Sequence, residues 1–507
     1  MNHLFDQIRE RIAGADRMFI ETPDGGSITY GDMLAASGRF ANTLQALDIT
    51  PGDRVAVQVD KSAEALLLYL ACVRAGAVFL PLNPAYTTAE LTYFFGDAEP
   101  RLIVCSPNQV DDIRAVAPAA SSVETLGHHG DGSLMERAAR LPTDFSDVDR
   151  SADDLAAILY TSGTTGRSKG AMLTHENLAS NARTLVRAWR FTAADTLIHA
   201  LPIFHTHGLF VATNTILFAG AAMLLLPNFD PQAILDAMPR ATSLMGVPTF
   251  YTRLLQHPGL DEPATEHMRL FVSGSAPLLA ETHKAWFART GHAILERYGM
   301  TETNMNTSNP YDGDRVPGTV GLPLPGVSVR ITEPDGGEPL PCGQIGMIEV
   351  RGPNVFSGYW RMPEKTATEF RDDGYFITGD LGQIDANGYV TIVGRGKDVV
   401  ITGGLNVYPK EVESVIDRLD GVVESAVIGL PHPDFGEAVT AVVVRANTNA
   451  PSAAAVMAGL GDELARYKQP KHVAFVDALP RNAMGKVQKN VLRDRYATVF
   501  TGDSDQA

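Results

Sequence analysis

Cysteine is almost absent. Three occur in 507 residues, Cys72, Cys105 and Cys342. They lie far apart and form no CxxC and no Cys/His cluster, which excludes a disulfide framework and a structural zinc site and fits a reducing cytosol. Positive charge is in deficit: 42 Lys and Arg stand against 59 Asp and Glu, a net charge of −17. A nucleic-acid-binding face and a polybasic grip on anionic lipid are both excluded on that balance. Any anionic ligand has to be held by local cations. No apolar run reaches about 18 residues, so no segment is expected to span a membrane. The opening stretch MNHLFDQIRERIAG is amphipathic and charged and lacks the apolar core of a signal peptide. The expectation is a cytoplasmic protein with small-molecule partners.

What is present is ample core material, 45% hydrophobic residues, over a length that suggests about three domains. The first 150 residues alternate helical and strand patterns. "GDMLAASGRFANTLQALDI" reads as a helix, "DRVAVQV" as a strand, "SAEALLLYLACVRAGA" as a helix and "VFLPL" as a strand. This rhythm predicts a parallel sheet. It repeats over 151–330, with strands at "LAAILYT", "AMLLL", "SLMGV" and Leu270–Gly274. From about 331 short strands with Gly/Asp turns predict a small β-rich module. After Gly394–Asp398 a last unit mixes strands and helices.

The stretch "LYTSGTTGRSKG", Leu159–Gly170, concentrates hydroxyls, glycines and two cations. It is not a Walker loop, because no Gly-x-x-x-x-Gly-Lys-Ser/Thr spacing is met, and GxGxxG is absent. "VSGSAP" (Val272–Pro277) does not meet GxSxG. The loop follows the strand Ala156–Thr161 and precedes a helix near Thr174, a placement that suits phosphate binding. Such clusters are also ordinary loop material, so the loop alone leaves a surface turn open.

Four further stretches follow in order: "RYGMTET" (Arg297–Thr303), "ITGDLG" (Ile377–Gly382), "GRGKDVVITGGLNVYP" (Gly394–Pro409) and "PRNAMGK" (Pro480–Lys486). With the glycine loop they resemble the adenylate-forming superfamily of acyl-CoA synthetases, luciferases and peptide-synthetase adenylation domains, over about residues 25–495. The resemblance implies an α/β fold. Its large N-terminal adenylation domain, 1–395, has two doubly wound α/β subdomains and a β-barrel-like module at about 331–395. A smaller, mobile α+β C-terminal domain, 396–507, carries the catalytic lysine. The implied reaction joins an acid to a thiol: the carboxylate attacks the α-phosphorus of ATP, and CoA then displaces AMP. The implied substrates are ATP and CoA, with Mg2+.

By the same resemblance Thr161, Ser162, Gly163, Thr164, Thr165, Gly166 and Lys169 hold the β- and γ-phosphates. Gly274, Ser275 and Ala276 line one edge of adenine and Tyr298 the other, within the run Tyr298, Gly299, Met300, Thr301 and Glu302. Glu302 is the magnesium ligand, a hard cation requiring carboxylate oxygen. Asp380 accepts the ribose hydroxyls, and Arg395 touches ribose or phosphate. Lys397 is the hinge. Lys486 bridges the attacking carboxylate and the α-phosphate, with Lys489 as the fallback. Gly403 and Gly404 leave room for the pantetheine arm of CoA. Acetylation of Lys486 by a lysine acetyltransferase would remove its charge.

The acid site departs from most of this superfamily. The residue before "YGMTE" is usually uncharged in enzymes for fatty and aryl acids. Here it is Arg297. Arg253, in "VPTFYTRLL", is expected to reach the same pocket. Two guanidinium groups can grip a distal carboxylate with forked, charge-assisted bonds, which selects a short diacid. With "FHTHG" (Phe204–Gly208) and "TETNMNTSNPY", the pattern resembles malonyl-CoA synthetases. His205, His207 and Met305 are expected to shape the acyl site, with His205 counted among the catalytic residues. Methylmalonate should be tolerated, since one methylene is worth only about 1–3 kcal/mol of discrimination. A short-chain acyl-CoA synthetase for another acid, and a stand-alone adenylation enzyme that loads a carrier protein, remain alternatives.

Overall fold

The computed structural model describes residues 1–161, 168–334, 336–446, 448–461, 463–482 and 485–500. Two large, mostly parallel sheets form the body. Seven strands make the first: in spatial order Gly358–Tyr359, Lys169–Thr174, Leu155–Thr161, Val78–Pro81, Arg54–Gln58, Leu102–Cys105 and Ser122–Thr125. The second has nine, and its inner strands are Leu295–Met300, Leu270–Ser273, Ser243–Gly246, Thr196–His199, Ala222–Leu225 and Met18–Glu21, all parallel.

Local sequence explains the helices that cover them. Tyr30–Ala46 starts at a capping box between Thr29 and Asp32. Ala63–Ala75 starts at the Ser62 hydroxyl and stops at Gly76 in the left-handed region. Nearly all its residues are buried, as expected of a helix apolar all round.

The division of strands between the sheets differs from the sequence reading. Leu155–Thr161 does not open the second sheet but lies parallel to Val78–Pro81 in the first. Met18–Glu21 and Ser27–Thr29 belong to the second. Periodicity marks a strand, but its partner is chosen by contacts distant in the chain.

A four-stranded antiparallel sheet follows, in the order Ser328–Thr332, Gly346–Arg351, Phe376–Ile384 and Val390–Arg395, with Ile348, Val350 and Phe376 buried. A short 3-10 turn, Gly396–Asp398, leads to a smaller α+β unit. Its five-stranded sheet carries Val422–His432 and Gly436–Arg445 side by side. The helices Pro409–Ile416, Ala453–Leu460 and Lys489–Tyr496 accompany it. Among the described residues no helix is long and apolar enough to cross a membrane.

Candidate active site

The loops after Thr196–His199, Ser243–Gly246, Leu270–Ser273 and Leu295–Met300 all leave the carboxyl ends of parallel strands, where open α/β sheets bind ligands. Leu295–Met300 turns back as the antiparallel strand Asn304–Ser308. Gly299 makes that hairpin possible. A Cβ there would fall 1.8 Å from the Asn304 carbonyl oxygen and 2.6 Å from Cε of the buried Met305. Met300 and Asn304 pair across the turn, leaving Thr301, Glu302 and Thr303 at its tip.

Glu302 is buried. Its Oε1 accepts from the Tyr359 hydroxyl at 3.1 Å and from Thr161 Oγ1 at 3.3 Å. Burial raises its carboxyl above the ordinary range. No group of three or more His, Cys, Asp or Glu forms a metal cluster among the described residues. One carboxylate fits a cation that keeps waters and substrate phosphates as its other ligands, the habit of magnesium.

Ser162, Gly163, Thr164, Thr165 and Gly166 lie outside the described residues. Their flanks are clear: Thr161 and Lys169 pair directly as the ends of an antiparallel hairpin. The expected strand–loop–helix arrangement is therefore corrected. The strand Lys169–Thr174 intervenes, and the helix begins at His175 with Thr174 as its cap. Lys169 Nζ lies 3.5 Å from Glu369 Oε1 and 4.1 Å from the centre of the Tyr359 ring.

Across the cleft, the Tyr298 hydroxyl donates to Asp380 Oδ2 at 2.6 Å, and Arg395 Nε lies 2.7 Å from Asp380 Oδ1. Asp380 and Arg395 face each other in neighbouring strands. Lys486 enters the same charge field from the C-terminal unit. Crowding within the cleft, then the Arg395 charge, lowers its ammonium below the usual lysine value, although its surface is still open to solvent. A tight turn presents it: the Asn482 N–H donates to the Lys486 carbonyl at 3.0 Å, and the Lys486 N–H returns to Asn482 Oδ1 at 2.9 Å. Lys489 is paired with Glu413 at 2.6 Å. Lys397 is exposed on the 3-10 turn.

Gly403 and Gly404, with φ of 56° and 79°, close a two-residue hairpin whose twist requires positive φ at both positions. Phe435 is the nearest side chain to Gly403.

The acid side is built around Arg297, 2% exposed. Its Nε and Nη2 have no hydrogen-bond partner. Burial lowers the guanidinium to about 9. Gly274 stands against it: a Cβ at that position would fall 2.5 Å from Arg297 Cζ. Ser275, held at φ 71°, lies with Oγ 3.2 Å from His207 Nδ1. Gly274 and Ser275 thus lie against the arginine and the histidine, and Ala276 beside them is half-buried. His207 is buried with Nε2 unpartnered, and its N–H reaches His205 Nδ1 at 3.3 Å. Burial, then the charges of Arg297 and Lys486, lowers His205 to about 4.

Arg253 is exposed on the helix Pro248–Gln256, with its guanidinium 5.8 Å from the centre of the Phe229 ring. It lies one turn from Thr249, whose Oγ1 is 3.1 Å from where a Gly485 Cβ would stand, so it flanks the mouth next to the Lys486 turn. Sequence reasoning missed Tyr359, which reaches Glu302 because Gly358–Tyr359 pairs with Ala171 and Met172. No local pattern announces that pairing.

A profile of AMP-binding enzymes matches residues 9–360, and one of the AMP-binding enzyme C-terminal domain matches 411–486. The chain belongs to the AMP-binding enzyme family. ATP-bound MatB from Rhodopseudomonas palustris superposes with a TM-score of 0.97 at 64% identity, covering 99% of this chain and 100% of that one. Apo MatB from the same organism gives 0.86 at the same identity and coverage. The malonate–CoA ligase of Arabidopsis thaliana is 34% identical over 94% of this chain and 86% of its own length. The sulfoacetate–CoA ligase of Cupriavidus necator is 34% identical over 94% of each. The chain is accordingly an AMP-forming acyl-CoA ligase that uses ATP and CoA, with magnesium as the metal typical of the family.

Proposed function

We propose that this ligase activates malonate, forming malonyl-AMP and then malonyl-CoA, and tolerates methylmalonate. The observation that carries this reading is Arg297, buried with two nitrogens unpartnered, and close enough to His205 for its charge to act there. Stranding such a charge costs several kcal/mol. A distal carboxylate removes that cost and adds charged hydrogen bonds worth roughly 1.5–3 kcal/mol each. The other carboxylate of a short diacid then lies toward Lys486. His205 and His207, kept neutral by burial, offer polar contacts without competing for the anion. An acid with only one carboxylate leaves one cation unmet.

Carboxylates are ionised at neutral pH, so the first step needs no base. An oxygen of the carboxylate bonds to the α-phosphorus, and the bond to the β-phosphate bridging oxygen breaks as pyrophosphate leaves. The protein supplies position and charge. Lys486 neutralises the attacking carboxylate and α-phosphate. Thr161, Lys169 and the loop between them hold the departing phosphates. Glu302 would hold magnesium, which supplies further neutralisation there. Tyr298 packs against adenine, Asp380 receives the ribose hydroxyls, and Arg395 holds Asp380 in place.

For the second step the boundary at 395/396 serves as a hinge about Lys397. The unit from 396 onward turns, and Gly403 and Gly404 come to line the thiol channel. The different match to ATP-bound and apo MatB, 0.97 against 0.86, supports such movement. We place the enzyme in the cytoplasm and take Lys486 as the lysine whose acetylation would silence it, checked by mass analysis of protein from cells.

The test is ATP–pyrophosphate exchange across acetate, malonate, methylmalonate, succinate and sulfoacetate. Malonate should lead. Arg297→Gly should cut exchange with malonate by about tenfold or more and raise the relative use of acetate; unchanged selectivity would sink the diacid reading. Comparing CoA with a holo-carrier protein as acceptor separates a CoA ligase from a carrier-loading enzyme.

A further inference from the structure

A second basic side chain is buried beside the loop that carries His205 and His207, and among the described residues no acid pairs with it. Lys61 follows the strand Arg54–Gln58 of the seven-stranded sheet and is 9% exposed. It crosses to the end of a strand in the nine-stranded sheet. Its Nζ donates to the His199 carbonyl at 2.7 Å and lies 3.0 Å from His199 Nδ1. His199 Nε2 is 2.9 Å from the Gly208 carbonyl. A carbonyl can only accept, so the ring proton sits on Nε2, and Nδ1 accepts from Lys61. Thr213 Oγ1 donates to the same Gly208 carbonyl at 3.0 Å. Gly208 has little slack, since a Cβ there would fall 2.1 Å from the Pro202 carbonyl oxygen. The preceding residue is His207, bonded to both Ser275 and His205.

We propose that Lys61 is a positioning residue of the acid site: through His199 it pins the Gly208 carbonyl, and so fixes the loop that presents His205 and His207. This rests on the assignment of that loop to the acid site. The donor count fits an uncharged amine. Such an amine has two N–H groups, and the two bonds to His199 use both; an ammonium would bury a third without an acceptor. Burial, with no compensating charge beside it, holds Lys61 well below the usual lysine range. An uncharged Lys61 anchors the loop without drawing the diacid away from Arg297.

Lys61→Met keeps the length of the side chain and removes both donors. Thr213→Val removes the other donor to Gly208. Both are to be assayed by pyrophosphate exchange as the full chain, with thermal melts as a check of folding. Lys61→Met should raise the KM for the acid by about tenfold and leave the KM for ATP within about twofold; Thr213→Val should move the same constant in the same direction. An unchanged acid KM in a folded variant overturns the proposal, as does an equal rise for ATP and acid. If Lys61→Met does not fold, Thr213→Val decides by the same criteria. The acid used is whichever of the panel drives exchange in the wild type. A wrong acid assignment then appears as silence of the wild type with malonate, and the comparison of variants stands.

Discussion

Glu296 and Arg297 are neighbours in one strand, so their side chains leave it on opposite faces, and both are buried away from any counter-ion that holds them. Glu296 Oε1 accepts from the Leu278 N–H at 3.2 Å, while Oε2 has no partner. Burial pushes this carboxyl up to about 8 from 4.5. The folded chain therefore holds a proton that the unfolded chain releases between those values. Stability contributed by the protonated form is fully present below 4.5 and is lost as pH rises through about 8. Glu296→Gln keeps the acceptor for Leu278 and removes the titration. Melting temperatures of the two proteins at pH 5 and pH 9 check this: the wild type should lose more on raising pH, and equal losses would clear Glu296 of any part. At this scale sequence reading finds Arg297 because a cation stands where an uncharged residue is usual. It does not find Glu296, because nothing in a string of letters says that an acid is dry.

The hairpin Leu295–Ser308 carries Arg297, Tyr298 and Glu302 on one short element. That places the acid anchor and the nucleotide side in fixed register, and Gly299 is the point on which the register depends. Gly299→Ala would drive a methyl into the Asn304 carbonyl, and the strands would have to part. Overpacking of this kind costs typically about 1–3 kcal/mol. The variant should melt earlier, and the KM for acid and for ATP should rise together. A rise confined to one substrate would show that the two halves are not coupled through this element. Helices such as Tyr30–Ala46 and Ala63–Ala75 are legible from caps and periodicity. The hairpin around the glycine loop is not: the sequence from Lys169 to Thr174 is a strand because Leu155–Thr161 and Gly358–Tyr359 lie on its two sides. The exposure of Arg253 is hidden for a related reason, since helical spacing tells which residues share a face but not which way that face looks.

For the molecule as a whole, Lys486 comes from the smaller C-terminal unit into the charge field of Arg395 and Asp380. Lys486→Ala should abolish formation of the acyl-adenylate and leave conversion of supplied malonyl-AMP by CoA largely intact. Single-turnover assays of each half-reaction check this, and equal loss of both would remove Lys486 from its assigned step.

The exchange of strands between the two large sheets has a bearing on how the chain is made. Met18–Glu21 has only its hairpin partner Ser27–Thr29 until Ala222–Leu225 has been made, and the seven-stranded sheet lacks one edge strand until Gly358–Tyr359 has been translated. Neither half can finish alone on the ribosome. A polypeptide halted near its midpoint would carry open β edges, a hazard for self-association. Fusions or split versions cut between the two halves would inherit the same exposure.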